Sequence, residues 1–182
     1  MPRRVVCLLV ALGLLCGVAC AAAPAGLWID VPFVAQQGEG CGAASIAMVM
    51  QYWRQQQGRA PAPASDYAQI ERALYSPETH GIYASAMERY FKQNGYRTFA
   101  FVGEVGDLAQ HLANGRPLIA ALEPGSGKPL HYVVVVGVDP VRQTVLVNDP
   151  AQRKLLTEDT ARFEREWKAA GSWTLLAVPE EQ

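Results

Sequence analysis

The chain has little cysteine, little histidine and no excess of either charge. Four cysteines among 182 residues are too few, and wrongly placed, for a disulfide scaffold. Sixteen basic residues face 17 acidic ones, a net charge of −1, and no Lys/Arg block stands out. A nucleic-acid partner therefore has no electrostatic support. Three histidines without a ligand pattern do not make a zinc site. No internal repeat or low-complexity tract is present. Half the residues are apolar and 18% are charged, which excludes disorder over most of the length. The length suits one ordinary domain and is too short for two full ones.

The first residues read as a targeting segment. Arg3 and Arg4 form a basic start, Val5 to Val18 is an apolar run of 14 residues, and small residues follow from Ala19 to Ala23. The run is too short for a comfortable membrane span, so residues 1–23 are expected to be a secretory signal peptide. Removing Arg3 and Arg4 from the 16 basic residues leaves 14 against 17 acidic ones, a mature charge of −3. The expected location is periplasmic or extracellular. Gly17-Val18-Ala19-Cys20 loosely resembles a bacterial lipobox, with Gly17 where leucine is expected. Two outcomes stay open. Cys20 is lipidated as the first mature residue and anchors the protein, or it is discarded in the alanine run.

Cys7 and Cys16 lie inside the signal. Cys41 is then the one cysteine certain to remain, and a lone thiol in an oxidising compartment is buried, paired between chains or chemically employed.

Residues 27–179 read as a single α+β domain. Leu27 to Ala35 is an extended entry segment, with Pro32 blocking a helix. Gln36 to Gly40 is a polar, Gly-flanked loop. From Cys41 the pattern is helical, with Ile46, Ala47, Met50 and Trp53 as an apolar stripe, and Gly58 to Pro63 ends it. Further helices are expected from Ser65 or Asp66 to Tyr75, from Ala84 to Asn94 and from Asp107 to Asn114. Strands are expected at Tyr96–Val102, Pro117–Leu122, His131–Val138, Val145–Asn148 and Trp173–Val178. Thr157 to Ala170 is expected to be helical. One helical lobe followed mostly by strands predicts a largely antiparallel sheet.

Cys41 follows Gly-Glu-Gly and begins a helix. A thiol there meets unpaired backbone N–H groups and the positive end of the helix dipole, both of which favour the nucleophilic thiolate. A core cysteine usually sits within an element instead. Of the three candidate bases, His80 lies in a loop and His111 sits in a short helix, expected exposed. His131 opens the most hydrophobic strand, where the sheet holds the residue while its tip reaches a cleft. Folding residues 131–149 as a hairpin about residue 141 brings His131 near Asp149, 18 positions later. A carboxylate there orients an imidazole and stabilises its charged form, and it also suits a turn before Pro150. Asn148 points to the opposite face. Upstream, Gln36 or Gln37 offers an amide for an oxyanion, beside the Cys41 backbone N–H.

These segments together carry a resemblance. Val-Pro-Phe-Val-Ala-Gln36, Cys41-Gly-Ala-Ala-Ser-Ile-Ala-Met-Val-Met, His131-Tyr-Val-Val-Val-Val-Gly-Val-Asp and Val-Leu-Val-Asn-Asp149-Pro resemble the C39-like group of papain-like cysteine peptidases. Phe163-Glu-Arg-Glu-Trp167 and Trp173-Thr-Leu-Leu extend the likeness to nearly all the chain after the signal. The resemblance implies a papain-like fold, with Cys41 as nucleophile, His131 as base and acid, Asp149 as orienting group and Gln36 as oxyanion donor. Gln36 lies five residues before the cysteine where many papain-like enzymes have six, which keeps Gln37 as the alternative. Better-known members cut leader peptides after paired glycines and are fused to an ABC transporter. Nothing in this chain resembles that transporter.

The implied reaction is hydrolysis of a peptide or protein substrate through an acyl-enzyme, with no cofactor and no metal. Two alternatives use the same sequence differently. An amine in place of water makes the enzyme an acyl or peptidyl transferase, and loss of catalysis makes it a peptide-binding domain. Cys, His and Asp are all present, which argues against the last.

Overall fold

The computed structural model describes residues 26–125 and 127–180. The predicted signal segment and Cys20 lie outside the described residues. In chain order the elements are β1 (Leu27–Trp28), α1 (Cys41–Gln56), a 3-10 turn (Pro63–Ser65), α2 (Tyr67–Leu74), α3 (Ala84–Gln93), β2 (Tyr96–Val102), α4 (Val105–Ala113), β3 (Leu118–Leu122), β4 (His131–Asp139), β5 (Thr144–Asp149), β6 (Arg153–Asp159), α5 (Thr160–Ala169) and β7 (Trp173–Pro179). The predicted α+β class holds, and every strand pair is antiparallel.

The strands run in the order β2-β7-β3-β4-β5-β6, with β1 added to β4. Helices cover both faces. On one face α1 and α3 bury Ile46, Met48, Met87 and Phe91 against Val134 and Val136 of β4. On the other, α4 and α5 bury Leu108, Leu112, Phe163 and Trp167 against Val133, Val135 and Val147. Each fully buried side chain of this size contributes roughly 1.5–3 kcal/mol. Two covered faces explain why Leu118–Leu122 and Tyr132–Val138 read as unbroken apolar runs instead of alternating ones: every residue of β3 is buried, and all but the first of β4.

Three expectations need correction. The sequence predicts a helix from Thr157, whereas β6 occupies Arg153–Asp159 and α5 starts at Thr160, capped by the Asp159 side chain on the Arg162 N–H. The adjacent pair Leu155-Leu156 breaks the alternation of a strand because a bulge lies there. The β5–β6 register slips between Val147 and Asp149, and Leu155 adopts a φ of 53°. Leu155 then faces one core and Leu156 the other.

The second correction concerns α1. The expected single stripe is a helix buried all round its first ten residues, since Cys41–Met50 are all buried. The third is His111. It is half-buried against Phe101, with ring centroids 5.9 Å apart, and is not the exposed residue expected. Burial and the neighbouring Arg116 push its pKa down.

Gly137 is required by the sheet. β1 crosses β4 there, and a Cβ would lie 2.8 Å from Trp28 Cβ and 2.9 Å from the Leu27 carbonyl oxygen.

Candidate active site

Helix α1 begins at Cys41 with no side-chain cap. Gly40 occupies the N-cap position, and the first turn carries no acidic residue. Its leading N–H groups are thus not consumed by a Ser, Thr or Asp side chain, and the positive end of the helix meets the sulfur. Cys41 is a free thiol, 8% exposed.

His131 starts β4 and Asp149 ends β5, so both sit at one end of the sheet. The hairpin register differs from a symmetric fold. Val134 pairs with Asn148, and a bulge between Val135 and Gly137 shifts the ladder by one residue. His131 therefore lies three positions beyond this last pair and Asp149 one, a diagonal relation on a shared face. The diagonal is still within reach: His131 Nε2 is 2.8 Å from Asp149 Oδ1. A carboxylate only accepts, so the ring donates from Nε2 and keeps Nδ1 for a second partner; hydrogen bonding to Cys41 is among the interactions that raise the ring's pKa.

Burial by itself lowers the pKa of His131. The hydrogen bonds to Asp149 and Cys41, with the charges of both groups, outweigh it and raise the value to about 9. For Asp149, burial raises the pKa. The bond and charge of His131, the Ala151 N–H and the Gln152 side chain together bring it below the ordinary carboxylate value. Tyr132, the next residue on β4, is pushed up to about 12 by burial and by the charge of Cys41, so its hydroxyl stays neutral.

Gln152 is a site residue that sequence reasoning missed. Its Nε2 donates to Asp149 Oδ2 at 2.5 Å, while Oδ1 takes the Ala151 N–H at 2.9 Å as well as His131. Both carboxylate oxygens are thus fixed. The available signal was an amide three residues after Asp149, across the turn that Pro150 forces.

Asn148 points away from this pair, as alternation predicts. It is fully buried, donates to the Val31 carbonyl at 3.1 Å and accepts the Leu155 N–H at 3.0 Å. It ties the entry segment to the end of β5.

Gln36 stands beside that end, its N–H donating to the Pro150 carbonyl at 3.0 Å. One side-chain N–H bonds the Gly38 carbonyl at 2.5 Å, and Oε1 is buried without a partner. An amide has two N–H donors, so one remains for a ligand. Gln37 is exposed, and its backbone N–H is held at 2.9 Å by the Tyr67 hydroxyl. His80, set aside as a base, pairs instead with Glu39 at 3.2 Å on the surface.

The buried sulfur at the helix start favours the charged form of an imidazole that is bonded to a carboxylate. The family model described as "Peptidase_C39 like family" matches residues 28–174, which makes the class a cysteine-type peptidase. The chain belongs to that family. Among solved structures, it is similar to a putative C39-like peptidase from Bacillus anthracis, with 16% identity and a TM-score of 0.68 over 87% of this chain and 100% of that one. It is also similar to a double glycine motif protease from an AMS/PCAT transporter in complex with the leader peptide: 21% identity, TM-score 0.64, 84% of this chain and 94% of that one. The peptidase domain of Streptococcus ComA, a bifunctional ABC transporter in a quorum-sensing pathway, matches at 20% identity and a TM-score of 0.64 over 83% of this chain and 100% of that one. At these identities the likeness shows the fold. No curated protein matches the sequence.

Proposed function

We propose that this chain is an exported cysteine peptidase that hydrolyses peptide bonds through Cys41, His131 and Asp149 by way of a covalent acyl-enzyme. The observation that carries the reading is the 2.8 Å contact of His131 Nε2 with Asp149 Oδ1, on a ring whose charged form Cys41 also favours.

In the first step the Cys41 sulfur, with its proton on His131, attacks the carbonyl carbon. A C–S bond forms and the carbonyl π pair moves to oxygen. Gln36 and the Cys41 backbone N–H are the proposed donors to that oxygen. As the tetrahedral adduct collapses, the C–N bond breaks and His131 gives its proton to the leaving amine. Water then gives a proton to His131 and attacks the thioester. The C–S bond breaks, the acid product leaves, and Cys41 is regenerated with the proton again on His131. Asp149 holds the ring's orientation and favours its charged form throughout.

The substrate is proposed to be a peptide or protein. One solved relative is in complex with a leader peptide. Export rests on the basic start and the apolar run of residues 5–18, and the intact mass of the mature protein tests it. A mass beginning at a lipid-bearing Cys20 identifies the anchored form. Digestion of a peptide library by wild type beside Cys41→Ala tests the activity. Cleavage by wild type alone is expected, and equal cleavage by both would overturn the reading.

A further inference from the structure

The loop between the proposed oxyanion amide and the nucleophile is short, polar and half exposed. Gly38 in it has a φ of 53°. Gln37, Gly38 and Glu39 are all exposed, so packing of their own side chains does not fix the loop. Something else must set the distance between Gln36 and Cys41.

Tyr75 and His80 hold the Glu39 side chain, at 2.8 and 3.2 Å, and one further side chain from outside the loop holds its backbone. Tyr67, the first residue of α2, sends its hydroxyl to Gln37, which is 30 positions earlier. The oxygen accepts the Gln37 N–H at 2.9 Å and lies 3.0 Å from the Gln37 carbonyl oxygen. It also lies 2.9 Å from Glu71 Oε1, one turn along α2. The same ring fills the space over Gly40: a Cβ there would lie 2.0 Å from the tyrosine oxygen. The residue before the nucleophile therefore has no side chain because Tyr67 occupies its place. The α2 helix that carries Tyr67 is itself capped by Asp66 on the Gln69 N–H, and it buries Ile70 in the core. This hold runs from a packed helix to the exposed loop through one hydroxyl.

We propose that Tyr67 is a positioning residue of the reaction: its hydroxyl holds the Gln37 peptide, and through it the spacing between Gln36 and Cys41. The proposal rests on the peptidase reading above. A single O–H proton cannot serve Gln37 and Glu71 together; donated to Glu71 Oε1, it leaves the tyrosine oxygen turned toward the Gln37 N–H. Burial, opposed by the Gln37 bond and aided by Glu71 and by the charge of Cys41, raises the pKa of this phenol, so the proton stays in place.

Tyr67→Phe removes one oxygen and keeps the ring, so the fold is retained. Four measurements read the consequence. Amide hydrogen exchange across residues 37–40 is expected to speed up about tenfold. With the best-cut library peptide, kcat is expected to fall about tenfold while KM stays within twofold. A peptide aldehyde of that sequence, which forms a tetrahedral oxyanion on Cys41, is expected to bind about tenfold more weakly. Alkylation of Cys41 by iodoacetamide makes no oxyanion and is expected to stay within twofold. Gly40→Ala, which pushes the tyrosine aside, is expected to reproduce the loss. Unchanged exchange, or an alkylation rate that falls as far as kcat, would overturn the proposal. A wild type that cleaves nothing removes the reaction Tyr67 is meant to serve. That failure belongs to the peptidase reading, and the exchange data tell the two apart.

Discussion

His131 Nε2 lies 2.8 Å from Asp149 Oδ1, and this bond decides which ring nitrogen is left for Cys41. The ring pivots between an accepting carboxylate and a sulfur, and both favour its charged form. His131 is held charged up to a pKa of about 9. The expected profile of kcat/KM therefore keeps its plateau through neutral pH and falls as pH rises through about 9. Asp149→Asn removes the charge and keeps the shape. Its alkaline limb is expected at lower pH, with activity reduced on the order of 10²-fold but still measurable. Rates recorded between about pH 5 and 10 give both numbers, and a limb that does not move would separate Asp149 from the ring.

The same pair has a stability signature. The folded pKa of His131 is raised above its ordinary 6.5, so its contribution is complete below that value and is lost as pH rises through about 9. Asp149 is depressed below its ordinary 3.8, so its contribution is present above that value and is lost as pH falls through the lowered one. The two overlap between the ordinary carboxylate and imidazole ranges. The His131 side chain is 22% exposed and that of Asp149 6%, so breaking the pair is expected to cost about 1–3 kcal/mol. Thermal melts of wild type and Asp149→Asn are expected to differ most at about pH 5–6.5, with the gap narrowing as pH rises through about 9 and the part due to Ala151 and Gln152 remaining. A constant difference across pH would rule this linkage out.

Cys41→Ala separates chemistry from folding. The thiol is buried at a helix start, and alanine keeps the helix and removes one atom. Turnover is expected to vanish, with a stability change of about 1 kcal/mol or less. Circular dichroism with a peptide-cleavage assay checks both. His131→Ala is expected to lose turnover similarly.

Much of this arrangement was legible in residue order. Tyr132–Val136 announces a buried strand because β-branched residues covered on both faces need no alternation. Cys41 after Gly-Glu-Gly announces a helix start, because glycine leaves the leading N–H groups uncapped. The β6 strand was not legible. Arg153 and Lys154 have weak strand preference, and the bulge at Leu155 hides the period. Tyr67 and Gln152 were not legible either. The first reaches Gln37 from a separate helix, and the second depends on a turn whose side-chain direction only the folded chain defines.

Asn148 offers the sharpest test of how the site is braced. Its amide is fully buried and joins the Val31 carbonyl to the Leu155 N–H, the residue whose φ of 53° makes the β6 bulge. Asn148→Ala leaves both backbone groups without that partner, at an expected cost of about 2–4 kcal/mol. Asn148→Asp keeps an acceptor for Leu155 but sets a carboxylate against the Val31 carbonyl, so its loss is expected to be as large. Asp149 and the entry to Gln36 both follow from this junction. Activity of the folded fraction is therefore expected to fall several-fold in each variant. Urea denaturation with kinetics at low denaturant measures both effects. A change in Asn148→Ala below about 0.5 kcal/mol would mean that water replaces the amide at no cost and that the entry segment is held elsewhere.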